Sequence, residues 1–310
     1  VSSAASDVYK RQMLRSTLED SRSPWRNAAI SGFIVDPDRK KMSKSKGNVV
    51  TPADILETHG SDAVRYWAAS SRLGMDAAFD PQNPTQVKIG RRLAIKVLNA
   101  AKFVLSFPVP EGAQVTHALD ASMLTGLDAV IEEATKAFEN YDQAKALEVT
   151  EAFFWTFCDD YLELVKERAY NQNDVGQASA ALALRLALST LLRLLAPIIS
   201  FATEEVWSWF EEGSVHTAAW PETLGIEGDT AVLSAASEAL IGIRRAKTEA
   251  KASQKTPVSR AAIAAPAAKL EALRAAADDL RAVGRIAELE FTEAGEFAVT
   301  AIELAPVEGA

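Results

Sequence analysis

A lysine-rich segment near the start of the sequence has the residue types that bind a polyphosphate. Lys41-Met42-Ser43-Lys44-Ser45 places two ammonium groups three residues apart with two hydroxyl groups beside them, and Lys46-Gly47-Asn48 follows. Ammonium and hydroxyl groups can both donate hydrogen bonds to phosphate oxygens. Taken alone, such a run is more often a solvated surface loop, so the flanking elements are needed to choose between the two interpretations.

The neighbouring sequence predicts that this segment is a loop between a strand and a helix. Residues 29–35 are β-rich and end at the turn signal Asp36-Pro37-Asp38, which predicts a strand leading into the loop. Thr51-Pro52-Ala53-Asp54 predicts a helix start with Thr51 as the N-cap, and Gly60 predicts its end.

Together these features resemble the KMSKS loop of class I aminoacyl-tRNA synthetases. In that family the loop folds over ATP and stabilises charge on the departing pyrophosphate. The resemblance implies that Lys44 is the main pyrophosphate-stabilising residue and Lys41 its partner, and that ATP enters with Mg2+. It also implies that the whole loop contacts ATP, with Ser43 and Ser45 shaping it and Met42 packing beneath it. Such catalysis consists of positioning and electrostatic stabilisation.

A second signature of the family, a His-x-Gly-His set that grips ATP, does not occur in this sequence. The three histidines are His59, His117 and His216, which are far apart and lie in no such motif. We therefore expect the sequence to be the C-terminal part of a synthetase that cannot activate an amino acid unaided. Residues 1–23 match nothing expected before the loop and are predicted to be a non-native or disordered start.

After the loop, the apolar periodicity predicts long helices. Over residues 85–107 apolar side chains recur at helical spacing: Ile89, Leu93, Val97, Ala101 and Val104. A second stripe with the same period carries cationic, amide and aromatic groups: Lys88, Arg92, Lys96, Asn99 and Phe103. A basic stripe is often only solvated, but cations for phosphates and an aromatic ring for unstacked bases also suit RNA. Further helices are predicted near residues 120–140, 142–171 and 175–210.

The resemblance extends to the valyl branch of the family through four runs: residues 60–70, 90–104, 157–166 and 201–207. In that branch a helical bundle binds the anticodon stem-loop, so the resemblance implies that the stripe contacts tRNA and that Phe103 stacks on a base. Isoleucyl and leucyl enzymes share this plan and remain alternatives. So do a non-catalytic tRNA-binding module derived from a synthetase and a helical scaffold with solvated basic faces.

The predicted architecture is mostly α-helical. Residues 24–80 are expected to form the KMSKS-bearing edge of a Rossmann-like catalytic domain with stem-contact helices, and residues 81–225 an anticodon-binding helical bundle. Residues 226–310 are expected to form a small α/β appendage. Within it, helices are predicted near residues 230–252 and 270–283, and strands near residues 258–264, 287–292 and 296–304.

Composition limits the partners of this chain. The net charge of −9 disfavours an evenly distributed nucleic-acid surface, but local clusters decide phosphate affinity. Three basic clusters are present: residues 39–46, residues 88–102 and residues 244–260. The single cysteine, Cys158, excludes an internal disulfide and agrees with a reducing cytosol.

The apolar run over residues 178–202 contains Arg185 and Arg193, so it is predicted to be a buried bundle helix rather than a membrane span. The family resemblance implies valine-accepting tRNA, ATP and valine as partners of the intact enzyme. It also implies a cytoplasmic location, no membrane association and a monomer.

Overall fold

The computed structural model describes residues 4–43, 45, 47–49 and 51–305. These form two compact units. The first contains Val1–Val49 and Ser71–Phe79, and the second contains Val50–Ser70 and Asp80–Ala310. Lys44 and Lys46, two of the cations in the predicted polyphosphate loop, lie outside the described residues.

The first unit contains a helix and a minimal sheet. The helix α1 (Ala4–Glu19) begins close to the chain start, where the sequence predicted a non-native or disordered segment. Strand β1 (Ile34–Val35) pairs in parallel with β2 (Ala77–Ala78), so only two residues of the β-rich run 29–35 form a strand. The backbones approach closely beside this pair, because a Cβ at Gly32 would lie 2.1 Å from the carbonyl oxygen of Met75.

The second unit begins as a bundle of helices. In chain order these are α2 (Ala53–His59), α3 (Ser61–Ala69), α4 (Thr85–Leu105), α5 (Ala118–Glu139), α6 (Gln143–Thr156), α7 (Leu162–Tyr170), α8 (Gln177–Leu195), α9 (Ser200–Trp207) and α10 (Ala231–Glu249). A π-helical turn, Phe157–Tyr161, joins α6 to α7. Cys158 is buried in this turn, and burial raises the pKa of its thiol to about 12, which makes it a structural residue.

Two local predictions differ from the structure. Thr51 is not the N-cap of α2, because Pro52 occupies that position and no side chain caps the helix. The helix predicted over 175–210 is broken between α8 and α9. Pro197 lies at the break, where Arg65 of α3 donates to the carbonyl oxygens of Pro197 and Ile198.

A carboxylate from α3 also caps the helix after this break. The two oxygens of Asp62 accept the backbone N–H groups of Phe201 and Ala202 at 3.0 and 2.7 Å. These are otherwise unsatisfied donors of the first turn of α9. The tertiary contact therefore stabilises a helix start that the local sequence does not mark.

The helix α8 is central to the core of this unit. Among the described residues it is the one helix long and apolar enough to cross a membrane, and 67% of its apolar window is buried inside the unit. Its burial agrees with the prediction of a bundle helix.

A small sheet with two helices completes the second unit. The elements are β3 (Val258–Ala265), α11 (Ala267–Ala275), α12 (Ala277–Gly284), β4 (Ile286–Glu293) and β5 (Ala298–Leu304). The strand order is β4-β3-β5, with β3 parallel to β4 and antiparallel to β5. The strand predictions are confirmed, whereas the helix predicted over 270–283 is divided into two at Ala276.

Candidate functional sites

The lysine-rich loop starts at a tight turn that follows β1. The backbone N–H of Asp36 donates to the Lys40 carbonyl at 2.9 Å, and the Lys40 N–H donates to Asp36 Oδ1 at 2.7 Å. Arg39 adopts a left-handed conformation with φ of 61° to close this turn. Lys41 then forms an antiparallel bridge with Val35, so the loop begins beside the strand as the sequence predicted.

The described side chains of the loop present hydrogen-bond donors to solvent. Lys41 is exposed, and its Nζ lies 4.7 Å from the centroid of the Phe33 ring, a cation–π contact that leaves its charge available. No described carboxylate lies within 4.0 Å of that ammonium group. The Oγ atoms of Ser43 and Ser45 are 3.2 Å apart, while Met42 is half-buried.

The loop is held closed by Asn48, a residue to which the sequence analysis assigned no role. Its Oδ1 accepts the backbone N–H of Ser43 at 2.9 Å. Its Nδ2 donates to Asp36 Oδ2 at 2.8 Å and to the Lys41 carbonyl at 3.3 Å. The hydrogen bond from Asn48 is the main cause of a lowered pKa at Asp36, and the Lys40 backbone N–H contributes as well.

The helix α4 has two distinct faces, as its periodicity predicted. Leu93, Val97 and Val104 are fully buried in the core. Along the other face Lys88, Arg92 and Asn99 are exposed, and Lys96 is half-buried. The helix contains five basic residues and no acidic one, so it is a strongly cationic element of an acidic chain.

A groove lies along this cationic face and involves a second helix. It has a volume of about 520 Å³ and is lined by Arg92, Ile95, Lys96, Asn99, Trp155 and Asp159. The Arg92 guanidinium carbon is 5.2 Å from the centroid of the Trp155 ring, and Lys96 Nζ is 5.8 Å from it. Lys96 also forms an ion pair with Asp159 at 2.9 Å. The groove therefore combines cations, an amide and an indole.

Trp155 is held in place through Glu151, one turn earlier on the same helix. Its Nε1 donates to Glu151 Oε1 at 3.1 Å, and the hydroxyl of Tyr66 donates to Glu151 Oε2 at 2.6 Å. Only the tertiary structure shows that this ring, near the end of α6, reaches the basic stripe of α4.

Phe103, the predicted base-stacking residue, does not line this groove. It lies one turn beyond Asn99 and packs edge-to-face on Phe107 and Tyr170, with ring centroids 5.0 and 6.1 Å away. Its ring remains half-exposed. The structure thus separates the stripe into a cationic groove and an aromatic cluster.

The third basic cluster of the sequence is largely neutralised. Lys247 is buried and donates to three carbonyl oxygens, those of Gln254, Thr256 and Gly284. Three arginines of the cluster form ion pairs with glutamates: Arg244 with Glu163, Arg245 with Glu249 and Arg260 with Glu290. Four of the six cations of this cluster are therefore engaged within the fold, and its interpretation as a polyanion surface stays a prediction.

Comparisons with known proteins match both parts of the chain. Residues 7–80 match the family described as tRNA synthetases class I (I, L, M and V), and residues 120–263 match the anticodon-binding domain of tRNA ligase. Among solved structures, the chain is similar to LeuRS in the LeuRS–tRNA–LeuAMS ternary complex of Agrobacterium radiobacter K84 agnB2. That likeness has a TM-score of 0.55 at 17% identity and covers 97% of this chain and 30% of the other, so it shows the fold alone.

Curated relatives are more similar in sequence. The chain is 66% identical over 299 residues to valine–tRNA ligase of Leifsonia xyli subsp. xyli, which covers 94% of this chain and 35% of that protein. It is 54% identical over 307 residues to valine–tRNA ligase of Thermobifida fusca, covering 96% and 34%. The chain thus spans about a third of the length of these relatives. With the loop, the helical core and these matches together, the chain belongs to the valine–tRNA ligase family of class I aminoacyl-tRNA synthetases.

Proposed function

We propose that this chain is the C-terminal part of a valine–tRNA ligase, which joins valine to its tRNA through a valyl-adenylate using ATP. The observation that carries the proposal is the loop joined by Asn48, with exposed Lys41 and Ser45 and half-buried Ser43 as donors, in a chain 66% identical to a valine–tRNA ligase. The first unit would be the edge of a Rossmann-like catalytic domain. We also propose that the intact enzyme is cytoplasmic and monomeric.

The loop would act on the activation step. A carboxylate oxygen of valine attacks the α-phosphorus of ATP, the bond to the bridging oxygen breaks, and pyrophosphate leaves with its added negative charge. Lys41 and Lys44 would stabilise that charge, and Ser43 and Ser45 would donate to phosphate oxygens. The role of Lys44 is proposed from its motif position.

The described donors fit phosphate oxygens but not a metal ion. Mg2+ prefers oxygen ligands, and the loop presents ammonium groups and hydroxyls. No group of three or more His, Cys, Asp or Glu side chains in the described ranges is arranged to hold a metal. Mg2+ would therefore be carried by the ATP phosphates, whose charge it neutralises when bound.

The cationic face of α4 would bind valine-accepting tRNA. Lys88 and Arg92 would contact phosphates, and an unpaired base would enter the groove against Arg92 and Trp155, with the Asn99 amide at its edge. Arg92 lies against the indole, so its guanidinium plane can extend the stacking surface. Phe103 would offer a second stacking position at the aromatic cluster.

Two measurements test this function. The purified chain is expected to bind valine-accepting tRNA in preference to other tRNAs, and to show no valine-dependent ATP–pyrophosphate exchange by itself, since it contains no His-x-Gly-His set. A hybrid enzyme in which residues 7–305 replace the matching region of the Leifsonia xyli relative is expected to exchange with valine. Preference for isoleucine or leucine tRNA, or an inactive but folded hybrid, would contradict the proposal. A folded hybrid without exchange activity is the result expected for a tRNA-binding module without catalysis.

A further inference from the structure

We infer that Asn48 is a positioning residue for the lysine loop, because its carboxamide joins the loop's end both to the loop's beginning and to Asp36. The inference rests on the proposed function of the loop. It concerns how the donors of Lys41 and Ser43 are held before ATP is bound.

The three hydrogen-bonding groups of Asn48 are engaged at three separate points. The oxygen accepts from the Ser43 backbone at 2.9 Å, and the nitrogen donates to Asp36 at 2.8 Å and to the Lys41 carbonyl at 3.3 Å. Gly47, with φ of 67°, makes the turn that brings Asn48 back to these groups. These bonds join the start of the loop, at Lys41 and Ser43, to its end at Asn48.

Asp36 extends this set of bonds to the preceding turn. Its Oδ1 accepts the Lys40 backbone N–H at 2.7 Å while its Oδ2 accepts from Asn48. The carboxylate is only 9% exposed and directly follows β1. The strand end, the turn and the loop are thus joined through one carboxylate and one amide.

These contacts require a donor and an acceptor on the same side chain at position 48. A carboxamide supplies both. A carboxylate could still accept from Ser43, but it would place a second negative charge against the nearly buried Asp36. The lowered pKa of Asp36 agrees with this arrangement, since the amide stabilises its charged form. Without the amide that pKa should rise toward its ordinary value.

If the Asn48 hydrogen bonds hold the loop before ATP binds, its donors already lie where charge develops on pyrophosphate. Catalysis by positioning depends on groups that need no reorganisation during the reaction. Loss of the Asn48 hydrogen bonds should therefore lower the rate of valine activation with little change in valine affinity.

A reciprocal exchange tests the inference. Asn48→Asp places two carboxylates side by side. Asn48→Asp combined with Asp36→Asn restores a donor–acceptor pair, because Asn at position 36 can donate to position 48 and still accept the Lys40 N–H. Asp38→Asn is the control for a nearby change of charge, since the Asp38 carboxylate is exposed and pairs with the Lys40 ammonium; it changes the charge by the same amount in the opposite direction.

Two properties are measured: trypsin cleavage of the purified chain after its lysines at positions 40–46, and valine-dependent exchange by the hybrid. In Asn48→Asp, cleavage should rise and exchange should fall, each on the order of tenfold, as for loss of a charged hydrogen bond. The double variant should recover most of both, and Asp38→Asn should match the parent.

Unchanged exchange in Asn48→Asp would overturn the inference, as would a double variant no better than the single one. No exchange by the unsubstituted hybrid would instead overturn the proposed function. Cleavage elsewhere in the chain should be the same in all variants, which separates a local change in the loop from global unfolding.

Discussion

Two polar clusters in this chain, one in each unit, show how the partners of a buried carboxylate change what it does. At the loop, Asp36 binds neutral partners, and the donors held nearby remain open to solvent. In the helical unit, Asp120 is fully buried and accepts two bonds of 2.8 Å from the Arg168 guanidinium. The first arrangement leaves charges available for a ligand, and the second uses its charge within the fold.

The buried cluster joins most of the helical unit. Tyr161 and Ser179 also donate to Asp120, at 2.8 and 2.7 Å, while Arg168 binds Asp279 of α12 at 3.0 Å. Burial alone would lower the pKa of Arg168, but the two aspartates raise it well above its ordinary value. The arginine is therefore charged, and it fixes the C-terminal helix α12 against the bundle.

The motif residues and the stabilising residues of this chain are therefore separate sets. A buried charge without its partner is expensive, so the Arg168 cluster should control stability. Exposed donors contribute little to folding, so the loop and the groove should control function with small effects on stability. This distinction can be tested by measuring both properties for variants in each region.

The largest effect is expected at the buried cluster. Arg168→Met should lower the free energy of unfolding by about 3–5 kcal/mol, because Asp120 and Asp279 would remain buried without their partner. Chemical denaturation followed by circular dichroism measures the change. Arg281→Met on α12 is the control, since its ion pair with Asp278 is exposed and should be worth less than about 1 kcal/mol. Equal losses in the two variants would contradict the comparison.

Removing the proposed catalytic lysine should affect rate and not stability. In the hybrid enzyme Lys44→Ala should raise the barrier to valine activation by about 3 kcal/mol, on the order of a hundredfold in rate, with little change in valine affinity. Pyrophosphate exchange at saturating valine measures it, beside a thermal melt. A rate within about twofold of the parent would remove Lys44 from this role.

The indole of the groove should contribute to RNA binding. Trp155→Leu is expected to weaken binding of valine-accepting tRNA by about 1–3 kcal/mol, the usual value of one stacked base. Filter binding at constant salt measures it. Trp209→Leu is the control, because that indole is exposed after α9 and does not line the groove. If Trp155→Leu binds tRNA as tightly as Trp209→Leu does, the groove is only a solvated surface.

The smallest effect is expected in salt dependence. Ala at both Arg92 and Lys96 should reduce the slope of log affinity against log salt by up to roughly two, one for each phosphate that a removed cation would have neutralised. The matched control places Ala at Arg244 and Arg245, whose charges are already paired with glutamates. A slope that falls equally in the control would show that total charge, and not the α4 face, attracts the RNA.

Several elements follow from the sequence because their signals are local. The apolar repeat of α4 predicted its helix and buried face, since period and burial are linked along one helix. The order of residues in the loop predicted the family, because few sequences combine those types in that order. Local strand signals also predicted β3, β4 and β5, although not the order in which they pair.

Other features required contacts between distant residues. The start of α9 depends on Asp62, which is far away in the sequence. Lys247 lies in a run of basic residues typical of a surface, yet its ammonium group is buried and donates to three carbonyl oxygens. Trp155, near the end of α6, reaches the basic stripe of α4 through contacts that only the tertiary structure shows. No local pattern encodes such contacts, so propensity and periodicity could not predict them.

The sequence by itself thus determined the chemical groups, the helical faces and the family. The tertiary structure decided which of those groups remain available. Basic clusters that look alike in sequence differ because one has carboxylates and carbonyls within hydrogen-bonding distance and another faces a groove. Composition records the charge of a residue, whereas burial and the distance to the nearest opposite charge decide whether that charge stabilises the fold or can bind a ligand.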